Sequence, residues 1–345
     1  SNNSEPSQLD IAMERIAIVV PAYNAAPWLA ECLDSILAQS FGDWQAIIID
    51  DGSTDNTADI AAVYTRRDER IRLMSRPNGG PSAARNTALD VVTAEYVTFV
   101  DADDTLHPEA LQRLMDLADG HPNIPAVACW YTARPFDTSE PLPEARPRIL
   151  SAREAIIATL RRRPYHEPMS CAKAFRSDLF DGLRYTEGRR YEDLDIFYKL
   201  YWRAGAIVHD TAPIYFYRQH SASFVHRWDD HRADVLDVTD DIVSWAKDLD
   251  DKALVSAAMD RRLSARFNIL VTAARTLRAA QRNAIPTCTD QTQAAPGCDI
   301  AALQATVARC RKDIDADRRR ALRDIHTRMR NRLALLVPTG ILCRL

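Results

Sequence analysis

Tyr96-Val97-Thr98-Phe99-Val100-Asp101-Ala102-Asp103-Asp104 joins a β-rich apolar run to three carboxylates within four positions. Like charges this close repel, so gathering them at a strand end points to a divalent cation that neutralises them. The plain alternative is a solvated acidic turn leading into a helix at Pro108, because Asp-x-Asp is short and common. A second stretch of the same design, Ile47-Ile48-Ile49-Asp50-Asp51-Gly52-Ser53, favours the first reading. In open α/β sheets ligands bind at the carboxyl ends of the strands, and neighbouring parallel strands would bring the two acidic turns into one site.

Around these runs the chain alternates strand and helix. Arg15 to Val20 is a strand that Pro21 is expected to stop, and Leu29, Cys32, Leu33, Ile36 and Leu37 share one helical face, with Pro27 suited to that helix's first turn. A strand over 45–49 is followed by a helix capped by Ser53 or Asp55 and carrying Ile60 and Val63 on one side. Ile71 to Met74 reads as strand, Pro81 to Val92 as helix, 96–100 as strand, and a helix begins at Pro108 and carries Leu111, Leu114 and Met115. Such alternation implies a mostly parallel sheet covered by helices on both faces.

The 345 residues are 46% hydrophobic and 27% charged, which suits a soluble globular chain and excludes disorder for most of it. No segment approaches the roughly 18 apolar residues that span a bilayer, and the N-terminus lacks the basic and apolar regions of a signal peptide, so a cytoplasmic location is expected. Seven cysteines at irregular spacing, with no Cys-x-x-Cys, argue against a disulfide framework or a zinc site. Cys32 is expected to be a buried thiol; Cys288 and Cys298 bracket one polar loop. The net charge of −4 is unevenly spread: residues 1–225 carry 23 Lys/Arg against 32 Asp/Glu, whereas 226–345 carry 21 against 16. An acidic first half without interleaved aromatic and basic residues gives no support for nucleic-acid binding.

Neither a G-x-G-x-x-G nor a G-x-x-x-x-G-K-[ST] device is present. Arg76-Pro77-Asn78-Gly79-Gly80-Pro81 instead makes a glycine-bearing turn onto a helix that carries Ser82, Arg85 and Asn86. A helix N-terminus with an arginine nearby can hold anionic oxygens, although such residues also build ordinary turns and caps.

Taken in order, Val20-Pro21-Ala22-Tyr23-Asn24, Asp50-Asp51-Gly52-Ser53-Thr54-Asp55, Asn78-Gly79-Gly80 with Ala84-Arg85-Asn86, and Asp101-Ala102-Asp103-Asp104 resemble the inverting family 2 glycosyltransferases of the GT-A type fold. Tyr191-Glu192-Asp193-Leu194-Asp195 looks like that family's Glu-Asp motif, and Tyr215-Phe216-Tyr217-Arg218-Gln219-His220 with Ser223 is similar to its closing segment. The likeness covers residues 15 to about 225. It implies an N-terminal extension over 1–14, a GT-A catalytic domain over 15–225 (nucleotide-binding over 15–105, acceptor-binding over 106–225) and a helical C-terminal appendage over 226–345.

The resemblance also implies roles. Pro21, Tyr23, Asn24, Asp51, Gly80, Arg85, Asp101 and Ala102 would bind the nucleotide, with Tyr23 stacking on the base and Asp51 accepting the uracil N3 proton. Asp103 would hold Mg²⁺ or Mn²⁺, with Asp104 as an extra acid, and Asp193 would be the general base. Asp193 as a plain helix cap is the alternative. Glu192, Arg218 and His220 would contact acceptor or phosphates, Tyr165 to Lys173 would line the acceptor pocket, and Trp130 and Tyr131 would pack beneath the site. The run Arg161-Arg162-Arg163 reads as a solvated helix end. The donor would be a nucleotide sugar, with a uridine diphosphate sugar favoured, and the acceptor a glycan or lipid-linked hydroxyl in bacterial surface-polysaccharide synthesis. A sugar nucleotidyltransferase and a non-catalytic nucleotide-sugar-binding module are the alternatives.

After about 226 helical patterning takes over: Val235 to Leu249, Lys252 to Ala280, and Ile300 to Leu336, broken by a Pro286 to Gly297 loop. The region 261–345 holds 17 basic and 6 acidic residues, and Leu333 to Val337 with Ile341 and Leu342 adds an apolar end flanked by Arg332 and Arg344. This tail suits peripheral contact with the cytoplasmic face of an anionic membrane, an oligomer contact, or packing on itself.

Overall fold

The computed structural model describes residues 14–219, 230–283, 299–324 and 326–339. In chain order the elements are β1 (Ile16–Ala22), α1 (Leu29–Leu37), β2 (Trp44–Asp50), α2 (Thr57–Arg67), β3 (Ile71–Ser75), α3 (Gly80–Leu89), β4 (Tyr96–Phe99), β5 (Thr105–Leu106), α4 (Ala110–Gly120), β6 (Ala126–Thr132), β7 (Arg148–Ser151), α5 (Ala152–Leu160), β8 (Lys173–Arg176), α6 (Glu192–Ala204) and β9 (Ala206–Phe216). Helices α7 (Asp234–Asp248), α8 (Lys252–Asn283), α9 (Ile300–Arg323) and α10 (Met329–Leu336) follow. They form two compact units. The first comprises Ser1–Arg148, Ser170–Arg184 and Val208–Arg218; the second comprises Ile149–Met169, Tyr185–Ile207 and Gln219–Leu345.

The first unit is built on a mixed sheet in the order β3-β2-β1-β4-β8-β6-β9-β5. Strands β3, β2, β1 and β4 run parallel, β8 is antiparallel to both β4 and β6, β6 pairs β9 in parallel, and β5 closes the edge antiparallel to β9. Every residue from Ile16 to Val20 and from Ala46 to Ile49 is buried. Consecutive strand residues point to opposite faces, so this burial means that both faces are covered, as the near-continuous Ile/Val runs require.

Four local expectations need correction. The two acidic turns do not sit on neighbouring strands, because β1 lies between β2 and β4. Pro21 does not stop β1, which runs on to Ala22 with Pro21 opposite Ile49. The β4 ladder ends at Val19↔Phe99, so the side toward which residue 21 would donate has already lost its partner, and a missing N–H costs nothing there. Pro27 and Pro108 each precede their helix by two positions. Finally, α2 turns Thr57, Ala61 and Tyr64 inward and leaves Val63 exposed. Its small residues allow close approach, and the Tyr64 hydroxyl reaches Ala30 O at 3.0 Å and Asp34 Oδ1 at 2.8 Å.

The second unit is helical, with α8 packing on α5, α7, α9 and α10. Ser151 and Glu154 form a capping box at the start of α5. Arg161 at its end is held by Ser256 at 3.1 Å, while Arg162 and Arg163 are exposed as expected. On α8, Arg266 is fully buried yet fully satisfied: its guanidinium meets Asp240, Asp313, Thr239 Oγ1 and Leu236 O at 2.7–3.1 Å. A charge in a dry interior is tolerable only with this degree of pairing.

The single helix expected over 300–336 is broken between Arg323 and Met329. Asp324 takes the backbone out of helix by accepting His326 N–H at 2.9 Å and the Ser256 hydroxyl at 2.5 Å. Arg328 N–H then bonds Asp260 at 3.0 Å and redirects the chain into α10. Cys32, Cys129, Cys171 and Cys310 are buried, and none of them forms a disulfide among the described residues. Cys288, Cys298, Cys343, His220, Ser223, the Pro286–Gly297 loop and Ile341 to Arg344 lie outside the described residues.

Candidate active site

Three turns meet at the carboxyl edge of β1 and β2. Asn24 adopts the left-handed conformation at φ 49°, which asparagine tolerates. Its Oδ1 accepts the Thr54 N–H at 2.9 Å, and its own N–H donates to Ser53 Oγ at 3.1 Å. Ala25 N–H reaches Thr57 Oγ1 at 2.8 Å, which fastens the β1 turn to the start of α2. Tyr23, just ahead of these anchors, is 50% exposed, so its ring has an open face beside a rigid support.

Asp51 is the keystone of this edge. It is only 2% exposed, and its carboxylate accepts Gly79 N–H at 3.1 Å and Gly80 N–H at 2.7 Å, with Arg76 Nη1 at 3.2 Å. Asn78 Nδ2 donates to Asp51 O at 3.0 Å. Gly52, at φ 72°, lies so close beneath that a Cβ there would stand 2.8 Å from Asn78 N. The glycine turn is therefore held by the acid, a role that sequence reasoning missed. No local pattern announces it, because donor and acceptor are 28 and 29 residues apart.

The second acidic turn, after β4, is braced from β9 and the residues just beyond it. Arg85, buried on α3, places Nη2 at 3.0 Å from Asp101 Oδ1. Tyr215 Oη accepts Asp101 N–H at 3.1 Å and donates to Asp104 Oδ2 at 2.5 Å. Arg218 donates its backbone N–H to Asp104 Oδ1 at 2.7 Å, Nε to Asp103 O at 2.8 Å and Nη2 to Glu31 Oε2 at 2.6 Å. Asp104 is thus a buried post for the loop. Burial, then the charge of Asp101, pushes its carboxyl up to about 8, against the lowering effect of the Tyr215 and Arg218 bonds. Ala102 is buried between the acids, whereas Asp103 is half-exposed at the edge.

A divalent cation fits this edge only with help. The donor set on offer, Asp103 with Asp101 nearby on the same loop, is all hard oxygen, which suits Mg²⁺ or Mn²⁺. Among the described residues no group of three or more His, Cys, Asp or Glu gathers to hold a metal unaided. Remaining ligands would have to come from a bound anion.

Glu192 and Asp193 belong to the second unit. Tyr191, left-handed at φ 62°, is the N-cap of α6 and makes no side-chain cap bond, so Asp193 lies inside the first turn and is not the cap. Acids in a first turn complement the helix dipole. Asp195 is 2% exposed and is occupied by Thr186 Oγ1 at 2.5 Å and Lys199 Nζ at 3.4 Å, whereas Glu192 and Asp193 are half-exposed. Trp130 and Tyr131 stack at 4.5 Å between centroids, with Tyr217 edge-on to Tyr131 at 6.0 Å. Met169 is half-buried, and Tyr165 is exposed.

Comparison with known proteins matches this architecture. Residues 17–184 match the model of Glycosyl transferase family 2. Glycosyltransferase GlyG of Streptococcus pneumoniae serotype 4 is 27% identical over 244 residues, 68% of this chain and 77% of GlyG. Two other curated relatives are matched over 35% and 32% of their own length. Among solved structures, S. aureus TarS 1-349 in complex with UDP-GlcNAc is similar with a TM-score of 0.57 at 19% identity, covering 86% of this chain and 92% of that one. The mannosyltransferase PcManGT from Pyrobaculum calidifontis, in complex with GDP-Man and Mn²⁺, gives 0.53 at 21% identity, covering 97% and 87%.

The fold is that of the GT-A glycosyltransferases. Within that class, residues 17–184 match glycosyl transferase family 2, and the curated relatives are named glycosyltransferases.

Proposed function

We propose that this chain transfers a sugar from a nucleotide sugar, with a uridine diphosphate sugar as donor, to a hydroxyl of a glycan or lipid-linked glycan at the cytoplasmic face of a membrane. The observation that carries this reading is the set of turns gathered at one strand edge, the β1 turn fastened through Asn24 and Thr57 and the glycine turn through the buried Asp51, with the Tyr23 ring left exposed on that edge. An aromatic face and an acceptor carboxylate suit a uracil base, the one by stacking and the other by accepting its N3 proton. The TarS complex with UDP-GlcNAc supports a uridine donor on this fold, and the PcManGT complex with Mn²⁺ supports a divalent ion.

In this reading Asp103 would hold Mg²⁺ or Mn²⁺ at the diphosphate end of the donor, with Asp101 on the ribose side. The bound ion supplies Lewis-acid neutralisation of the leaving diphosphate. Asp193 removes the acceptor hydroxyl proton as the acceptor oxygen bonds the anomeric carbon and the bond to the diphosphate oxygen breaks from the opposite face, which inverts the configuration. Arg218 acts by holding the Asp103 loop, and Arg85 by fixing Asp101. A general base such as Asp193 is what a transfer to a hydroxyl needs and what a nucleotidyltransferase or a mere binding module would not require.

A panel of nucleotide sugars incubated with Mn²⁺ and then with EDTA tests the proposal. Release of uridine diphosphate from one donor, lost on chelation, is expected. Turnover of a purine nucleotide sugar alone, or turnover indifferent to EDTA, would overturn it.

A further inference from the structure

Helix α10 carries apolar side chains on its outer side as well as toward the bundle. Asn331 and Leu335 face the bundle: Asn331 Nδ2 donates to Asp260 Oδ1 at 2.7 Å and to Asp260 O at 3.0 Å, and both residues are buried. The opposite side carries Met329, Leu333 and Leu336, which are 76%, 58% and 67% exposed. Spacings of four and three place these three side chains in a single stripe. Three large apolar side chains turned to water on one short helix mark an interaction surface.

The flanks say what kind of surface it meets. Arg330 and Arg332 border the stripe, are exposed, and have no side-chain ion pair among the described residues. The nearby acids are already engaged: Asp313 and Asp317 pair with Arg262, Asp324 bonds Ser256, and Asp315 meets Arg318. Residues 299–339 hold ten Lys/Arg against five Asp/Glu, so this end of the unit presents uncompensated positive charge around an apolar strip. No described helix is long and apolar enough to cross a membrane. Apolar side chains outward with arginines at both margins is the arrangement of a helix lying in the plane of an anionic interface, its stripe among the acyl chains and its guanidinium groups at the headgroup phosphates.

We propose that α10 docks this protein on an anionic lipid surface through Met329, Leu333 and Leu336, with Arg330 and Arg332 binding the headgroups. The inference rests on the geometry of α10 and is independent of the donor and base assigned above.

The test is sedimentation of the full chain with vesicles of phosphatidylcholine containing about 30 mol% phosphatidylglycerol, and with phosphatidylcholine alone. Binding to the anionic vesicles only is expected. The Met329→Gln/Leu333→Gln/Leu336→Gln variant and the Arg330→Gln/Arg332→Gln variant should each lose about tenfold or more of that binding, with unchanged thermal unfolding because all five side chains are exposed. A Leu333→Trp variant should show a blue-shifted emission on vesicles that brominated lipid quenches. The proposal is overturned if the full chain does not bind, if the triple variant binds as well as the parent, or if the stripe proves to be a contact between copies, seen as a dimer that the triple variant converts to monomer without any vesicle binding.

Discussion

The hydroxyl of Tyr215 donates to Asp104 at 2.5 Å and accepts the Asp101 N–H at 3.1 Å, so one side chain on β9 braces both ends of the acidic turn that follows β4. Tyr215 is itself fully buried, and its hydroxyl is pushed well above the usual phenol range, first by burial. Phenylalanine would keep the ring and delete the brace. Tyr215→Phe should cost about 1–3 kcal/mol of stability, because it strips two buried polar groups of a partner. Urea unfolding measures this, and donor KM should rise in parallel as the Asp103 loop loosens.

Two glycines at the nucleotide edge make a matched pair. Both are left-handed, Gly52 at φ 72° and Gly80 at φ 84°, yet a Cβ on Gly52 would strike backbone 2.8 Å away while one on Gly80 would meet nothing within 4 Å. Gly80→Ala should therefore cost only the left-handed penalty of about 1–2 kcal/mol. Gly52→Ala adds a backbone clash that the glycine turn must move to relieve, so its loss of thermal stability should be the larger and should come with weaker uridine diphosphate binding.

Tyr23 is half-exposed and anchored only through its neighbours. Tyr23→Ala should leave the unfolding midpoint unchanged but weaken nucleotide binding by about 1–3 kcal/mol, the usual worth of a base–aromatic stack. Calorimetric titration with uridine diphosphate reads this directly; an unchanged affinity would move the base elsewhere.

Acid should act on the helical unit through Asp251. The fork of Arg153 beside it, helped by the Ala253 and Leu254 N–H groups at the start of α8, holds its carboxyl below the usual range. A depressed folded value means that its stabilisation is complete above the unfolded carboxylate value near 3.8 and is lost as pH falls through the folded one. Asp251→Asn should flatten the decline in urea stability below about pH 4 and lower stability at neutral pH by about 1 kcal/mol, the worth of a charged cap.

The parallel half of the sheet was legible because the β-branched runs at 16–20, 47–49 and 96–100 are buried on both faces, which leaves an unbroken apolar signature. The site turns were legible because acids, glycines and asparagine cluster where those runs end. What stayed hidden depended on distant partners. Pro21 sits inside a strand only because β4 stops two residues short of it. Asp51 grips amides far along the chain, Asp104 became a buried post because Tyr215 and Arg218 arrive from β9, and the helix expected over 300–336 breaks because Asp324 finds Ser256 on α8. Periodicity reports which side of an element is apolar, but it cannot report which polar partner a turn will meet.

The account stands most directly on Asp193. Donor turnover by Asp193→Asn, measured beside uridine diphosphate affinity, should fall by about 10²-fold or more in kcat with nucleotide binding unchanged, as removal of a general base demands. A kcat within about twofold of the parent enzyme would contradict the account, since that is too little for the loss of any general base.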